Sequence, residues 1–238
     1  MHDEPATAVS FDFGQTLVEL DTGLLSARLA ERGITSPRER LDEAVDEGWR
    51  AYNEAIHRGY GGHPWKIMMR RLLEAAGVAA GAVDEAVDWL WTEQPRKNLW
   101  RRPIAGMLDV VVELRRAGVP VAVLSNSEGR LADLIDELGW SAHFLAIADS
   151  GRLGFEKPGR EIFAWTAERL GVPLAAVVHV GDSLAADVEG ALAAGMRAVW
   201  FKGDPARAAQ LPHADRVAVC DGADGLRRAL RALSLLPQ

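Results

Sequence analysis

A chain of 238 residues, 48% apolar and 26% charged, has the make-up of one large globular domain, or of a core carrying a modest insert. Its net charge of −7 supplies no positive field for nucleic acid or anionic membrane, and its Arg-Arg pairs at 70–71, 101–102, 115–116 and 227–228 are scattered as solvated helix faces are. The one cysteine, Cys220, excludes an intrachain disulfide, and no apolar run approaches the ~20 residues that span a bilayer.

The opening Met1-His2-Asp3-Glu4-Pro5 has no basic stretch leading into an apolar one, so no signal peptide is expected, and the chain reads as cytoplasmic. The first strand-like run is 8–11, Ala8-Val9-Ser10-Phe11, and it closes on Asp12. From about residue 24 to residue 100 there is no good strand. Helical periodicity there is punctuated by Gly33, Gly61-Gly62 and Gly77, and predicts about four helices, with Pro95 and Pro103 bracketing the return linker.

Beyond the linker, strand and helix alternate. Helical spacing runs over 104–117, 129–138, 161–170, 186–194 and 223–235. Between these lie apolar runs at 119–124, 144–148, 177–180 and 198–201, with a weaker one at 217–219. The runs are short and apolar on both alternations, as strands covered on both faces are. The predicted fold is α/β: a doubly wound parallel-sheet, Rossmann-like core from residues 1–20 and 101–238, with an α-helical domain of residues 21–100 inserted after the first strand.

In an open sheet of this kind ligands bind beyond the carboxyl ends of the strands, where the winding reverses. Asp12, Ser125 and Asp182 each follow a predicted strand. Taken singly, each residue has an ordinary reading. Asp12 and Asp182 could be turn or N-cap residues, Ser125 and Asn126 could cap the next helix, Lys157 could be a surface charge and Asp187 a solvated helix residue. Taken together, three carboxylates (Asp12, Asp182, Asp187) at one sheet edge would repel one another unless a cation joined them, and oxygen ligands suit Mg²⁺. Lys157 adds a fixed positive charge, and Ser125 and Asn126 add hydrogen-bond donors. Such a set is a receptor for a phosphoryl group, and a carboxylate can attack phosphorus to give an aspartyl-phosphate.

Four stations in order, Asp12-Phe13-Gly14-Gln15-Thr16, Ser125-Asn126, Lys157-Pro158 and Gly181-Asp182-Ser183 with Asp187, resemble the signatures of the haloacid dehalogenase-like (HAD) hydrolases. The segment Gly190-Ala191-Leu192-Ala193-Ala194-Gly195-Met196 is similar to the helix that follows the last of them. The resemblance implies a phosphatase-like branch with the helical insert as its cap domain. It implies Asp12, Thr16, Ser125 and Lys157 as catalytic residues, and Phe13, Gly14, Ser125, Asn126 and Lys157 around the substrate. It places Mg²⁺ on Asp12, Asp182, Asp187 and the backbone carbonyl of residue 14. Thr16 has a second reading, in which its hydroxyl only pins the loop after Asp12. The implied substrate is a small phosphorylated molecule, with no nucleic acid or membrane partner; oligomeric state leaves no signal in the sequence.

The family signature is usually written D-x-D-x-T, and Gly14 stands where its second Asp, the general acid/base, would be. Glycine keeps the carbonyl and loses the proton donor, a role worth ~10²–10⁴-fold. Three readings follow. One is a phosphohydrolase whose leaving group needs little protonation, or gains a proton from the substrate or from Glu54, His57 or His63 of the insert. A second is a phosphonatase- or dehalogenase-like enzyme. The former needs a Schiff-base lysine, for which Lys66 and Lys97 are candidates, and the latter has no need of the Asp182/Asp187 pair. The third is a degenerate protein that binds a phosphorylated ligand or a partner.

The insert is rich in tryptophan (Trp49, Trp65, Trp89, Trp91, Trp100), which would form its own core or a ring-lined pocket, with Trp91 and Trp100 the first choices for pocket contact. His179, inside the strand 177–180, reads as a core histidine with one satisfied hydrogen bond. No G-x-x-x-x-G-K-[ST] or G-x-G-x-x-G occurs, which argues against nucleotide binding by those routes.

Overall fold

The computed structural model describes residues 5–59 and 64–237. Gly61, Gly62 and His63, which the sequence marks as a break and as a candidate proton donor, lie outside the described residues. The chain divides into two compact units, Met1–Glu19 with Arg102–Gln238, and Leu20–Arg101.

Among the described residues the first unit is built on six parallel strands: β1 (Ala8–Phe11), β4 (Val121–Ser125), β5 (Ala146–Asp149), β6 (Val177–Gly181), β7 (Arg197–Phe201) and β8 (Val217–Cys220), in the order β5-β4-β1-β6-β7-β8. Val, Ala and Phe dominate these runs, and β1, β4 and β6 are buried at every position, as strands covered on both faces must be. β1 lies between β4 and β6, pairing Val9 with Val121 and Val178. The chain winds from β1 out to β5, then returns to β6 on the other side. The carboxyl ends of β1, β4 and β6 therefore flank the point where the winding reverses. Helices α5 (Met107–Arg116), α6 (Leu131–Glu137), α7 (Ser150–Leu153), α8 (Arg160–Leu170), α9 (Gly190–Ala194), α10 (Pro205–Ala208) and α11 (Gly222–Ala232) complete this unit. Ile162 and Phe163 of α8 pack with Val188, Ala191 and the sheet residues Ala8, Leu124 and Val177 in one buried cluster.

One predicted helix differs. Residues 186–194 were expected as a single helix; the chain instead makes a π-helical turn, Leu184–Glu189, before α9. A π turn is wider than an α turn and is frequent at functional sites. Here it carries Asp187 back over the end of β6, where Gly181 has no side chain: a Cβ at Gly181 would lie 2.3 Å from the Asp187 Cγ.

Among the described residues the second unit holds four helices, α1 (Thr22–Glu31), α2 (Arg38–His57), α3 (Trp65–Ala75) and α4 (Ala80–Glu93). Asp21 caps α1, its Oδ1 accepting from Leu24 N at 2.9 Å. Trp65, Trp100 and Tyr52 are buried, with Trp49 and Trp91 half-buried against them. Trp65 is 5.3 Å from Trp91 and 6.2 Å from Trp100, and Trp49 is 6.1 Å from Trp100 and 5.1 Å from Tyr52, ring centre to ring centre. Trp100 is buried among these rings.

The sequence missed two short strands. β2 (Val18–Leu20) and β3 (Trp100–Pro103) pair as a two-stranded sheet, so part of the expected linker is strand. Trp-Arg-Arg-Pro has no apolar alternation to announce it; its pairing partner lies far along the chain.

Candidate active site

Asp12 follows the last residue of β1, and its N–H donates to Val180 O at 2.8 Å, which ties the start of the loop to β6. The loop turns at once. Phe13 O accepts from Leu17 N and Val18 N at 2.9 and 3.0 Å, and Gln15 takes the left-handed conformation with φ 61°. Phe13 buries its ring edge-on to Trp140, 6.3 Å between centres. Thr16 is fully buried, and its Oγ1 has no hydrogen-bond partner among the described residues. The hydroxyl therefore does not pin the loop by a hydrogen bond.

Lys157 is the hub. Its ammonium is 3% exposed and donates to Asp12 Oδ1 at 2.6 Å, Asp187 Oδ1 at 2.6 Å and Leu124 O at 3.1 Å. These contacts use all three of its protons. Ser125 Oγ adds a hydrogen bond to Asp12 Oδ1 at 3.0 Å. Asn126 does not face outward as a free donor. Its Nδ2 donates to Lys157 O at 3.0 Å and its Oδ1 accepts from Lys157 N at 2.8 Å, so it brackets the lysine main chain. Neither Ser125 nor Asn126 caps α6; Asp149 Oδ2 does, accepting from Leu131 N at 3.0 Å.

Asp187 is buried, with Oδ2 accepting from Ser183 N at 2.9 Å. Asp182 is half-buried beside it, and Trp200 Nε1 donates to the Asp182 carbonyl at 2.9 Å. Oxygens of Asp12, Asp182 and Asp187 lie within 4.8 Å of one another.

The electrostatics follow from burial. Burial pushes the Asp182 carboxyl well above its usual range, and the neighbouring charges of Asp187 and Asp12 push it further. Burial also raises Asp12, against the pull of Lys157. Asp187 goes the other way: the Lys157 charge and the His179 hydrogen bond overcome its burial and hold it below the usual carboxylate range. Burial would lower the Lys157 pKa, but the charges of Asp12 and Asp187 outweigh it and hold the ammonium at about 12. Three carboxylates against one ammonium leave an excess of negative charge in a site of oxygen donors. A hard divalent cation fits that donor set.

Residues the sequence passed over also shape the site. His179 bonds through both ring nitrogens, Nε2 to Asp187 Oδ1 at 3.0 Å and Nδ1 to Ser10 Oγ at 2.9 Å, where one bond was expected. Asp149, at the end of β5, gathers Ser127 Oγ and the N–H groups of Gly129, Gly151 and Leu131 around the loop after β4. A strand-end acid with serines nearby is a visible signal for Asp149. Trp200 has none beyond its place in a strand. In the helical unit, Lys66 is ion-paired with Asp88 at 2.7 Å, and Glu54 pairs with Arg58.

A parallel α/β sheet with a carboxylate, an ammonium and an acidic cluster at its reversal point defines a doubly wound enzyme that works from its strand ends. The chain belongs to the haloacid dehalogenase-like hydrolase family, whose model matches residues 6–195. It is 27% identical over 205 residues to mouse haloacid dehalogenase-like hydrolase domain-containing protein 3, covering 82% of this chain and 81% of that one. It is 29% identical over 208 residues to a glyceraldehyde 3-phosphate phosphatase of Methanopyrus kandleri, covering 82% and 83%. Among solved structures, a HAD hydrolase of Bacillus subtilis, YfnB, crystallised with magnesium, shares the fold. It aligns with a TM-score of 0.66 at 18% identity over 97% of this chain and 99% of that one.

Proposed function

We propose that this chain hydrolyses a small phosphorylated metabolite through an aspartyl-phosphate on Asp12. The observation that carries the reading is the Lys157 ammonium bridging Asp12 and Asp187 beside the half-buried Asp182. Asp12 Oδ1 is held by Lys157 and Ser125, which leaves Oδ2 to attack phosphorus. The Lys157 charge beside Asp12 would offset the charge that the phosphoryl oxygens gain in the transition state, and the Ser125 hydroxyl, now on Asp12 Oδ1, would turn to meet them. Phe13 and Gly14 contribute backbone groups, since the Phe13 ring is buried in the core. Asn126 acts by fixing the Lys157 main chain. Asp12, Asp182, the Gly14 carbonyl and Asp187 would hold Mg²⁺. That cation would offset the excess negative charge and let the phosphate dianion approach.

The relative from Methanopyrus kandleri is named as a phosphatase of glyceraldehyde 3-phosphate, and one from Thermus thermophilus, 32% identical over 134 residues, as a phosphoserine phosphatase. Both names support a phosphomonoester substrate. Lys66 is tied to Asp88, which gives no support to a Schiff-base lysine there. Gly14 offers no side chain to protonate the leaving oxygen, so activated phosphates should turn over better than alkyl ones. The test is a turnover screen of alkyl phosphates, acyl phosphates, phosphonates and 2-haloacids, with and without EDTA, on wild type and Asp12→Asn. Phosphate release that is lost with EDTA and lost in a folded Asp12→Asn supports the reading. Turnover by Asp12→Asn at the wild-type rate would overturn it, and halide release insensitive to EDTA would replace it.

A further inference from the structure

The buried histidine that no catalytic role has claimed is placed to aim the nucleophile. Ser10 and His179 are direct partners across β1 and β6. Side chains alternate along a strand, so Ser10 is in phase with Asp12 on β1, and His179 with Gly181 on β6. Both Ser10 and His179 are fully buried, and the Phe163 ring meets the imidazole edge-on with 5.4 Å between centres.

The donor and acceptor inventory fixes the arrangement. An ionised carboxylate only accepts, so the Asp187 contact places a hydrogen on Nε2. The Ser10 hydroxyl, donor and acceptor both, partners Nδ1 at 2.9 Å and fixes the orientation of the ring. Asp187 passes the constraint to Lys157, and Lys157 passes it to Asp12. Ser10 and Asp12 are joined again through the β1 backbone, so the hydrogen bonds close into a ring. Without the Nε2 donor, Asp187 Oδ1 keeps only the ammonium, and the carboxylate is steadied otherwise by Ser183 N on Oδ2 alone.

We propose that His179, locked by Ser10, is a positioning residue that aims Asp12 through Asp187 and Lys157. The catalytic part rests on the phosphohydrolase reading above; the positioning part does not. The chain has only lysines 66, 97, 157 and 202, so the Lys157 ammonium is resolvable by side-chain ¹⁵N NMR. Held by three acceptors out of solvent, it should give a slowly exchanging signal, assigned by its loss in Lys157→Met.

The decisive pair of variants is His179→Gln and His179→Asn. The Gln amide nitrogen reaches the place of Nε2 and keeps the donor to Asp187; the Asn amide reaches only Ser10. The Lys157 signal should survive in Gln and pass into fast exchange in Asn. With activated phosphate substrate and saturating Mg²⁺, kcat should fall roughly 10- to 100-fold in Asn. KM should stay within about threefold, and Gln should recover most of the loss. Circular dichroism checks folding; if the Asn variant does not fold, Ser10→Ala replaces it, and the same signal should broaden with a smaller loss of kcat. An ammonium signal unchanged in the folded Asn or Ala variant, or lost equally in Gln and Asn, would overturn the proposal. If wild type releases no phosphate from any substrate, the phosphohydrolase reading fails, while the NMR comparison still decides whether His179 positions Lys157.

Discussion

Gly181→Ala should be among the most damaging single-methyl additions in the protein. A Cβ there would lie 2.3 Å from Asp187 Cγ, 2.4 Å from Oδ2 and 2.5 Å from Cβ. Ordinary contact begins near 3.4 Å, so the carboxylate must retreat by about 1 Å. Rotating the Asp187 side chain does not solve this, because its own Cβ is also too close; the π turn itself must shift. A 1 Å retreat would carry Oδ1 out of reach of Lys157, now at 2.6 Å, and of His179, now at 3.0 Å. Overpacking costs ~1–3 kcal/mol, and a lost hydrogen bond to a charged group ~1.5–3 kcal/mol. Together they suggest a loss of about 2.5–6 kcal/mol, which for a chain of this size lowers Tm by roughly 5–24 °C. Urea denaturation of wild type and variant gives the loss, and phosphate release on the folded fraction gives the effect on kcat. A Gly181→Ala protein within ~1 kcal/mol of wild type and with unchanged kcat would refute the reasoning, because it would mean that Asp187 need not sit where it does.

Lys157→Met should destabilise by ~3–5 kcal/mol in urea denaturation and abolish turnover, since Asp12 and Asp187 would be left buried without their cation; a loss below ~1 kcal/mol would show the pair is not strongly coupled to folding. Gly14→Asp should raise alkyl-phosphate hydrolysis, by at most the ~10²–10⁴-fold that acid catalysis supplies, and leave acyl phosphates nearly unchanged. A folded, metal-binding variant with no gain would mean the missing acid was not limiting. Burial, reinforced by the Asp221 charge, pushes the Cys220 thiol up to about 12. At pH 8 only about one thiol in 10⁴ is then ionised. Native protein should resist a disulfide reagent that reacts fully after unfolding, and stoichiometric labelling of native protein within minutes would contradict this.

The six core strands were legible because each is a short apolar run that local composition announces, and Val217–Cys220 shows even the weakest was visible. Bounds moved by a few residues where side chains are indifferent: the run at 119–124 became Val121–Ser125. What escaped depends on distant partners. β3 is polar in sequence and exists because β2 pairs with it. Asn126 looked like a ligand donor, but its carboxamide is taken up by a main chain 31 residues away. His179 looked like a histidine with one bond because its second partner, Ser10, is 169 residues distant. One signal was available: Ser10 lies two residues before Asp12, in phase with it, and a serine inside an otherwise apolar strand needs a buried partner.

The sheet-bearing unit closes its own gap at the insertion point. Ile104 N donates to Leu17 O at 3.0 Å, and Arg102 pairs with Glu19 at 2.9 Å. To the β1 strand, everything from Leu20 to Arg101 is a loop whose two ends already meet. The entropy of closing such a loop rises by only ~0.6 kcal/mol for each doubling of its length. An insertion point of this kind tolerates a longer, shorter or unrelated segment at little cost to the strand order. New helices can be tried there over evolutionary time, or by a protein engineer, while Asp12 stays at the same strand end.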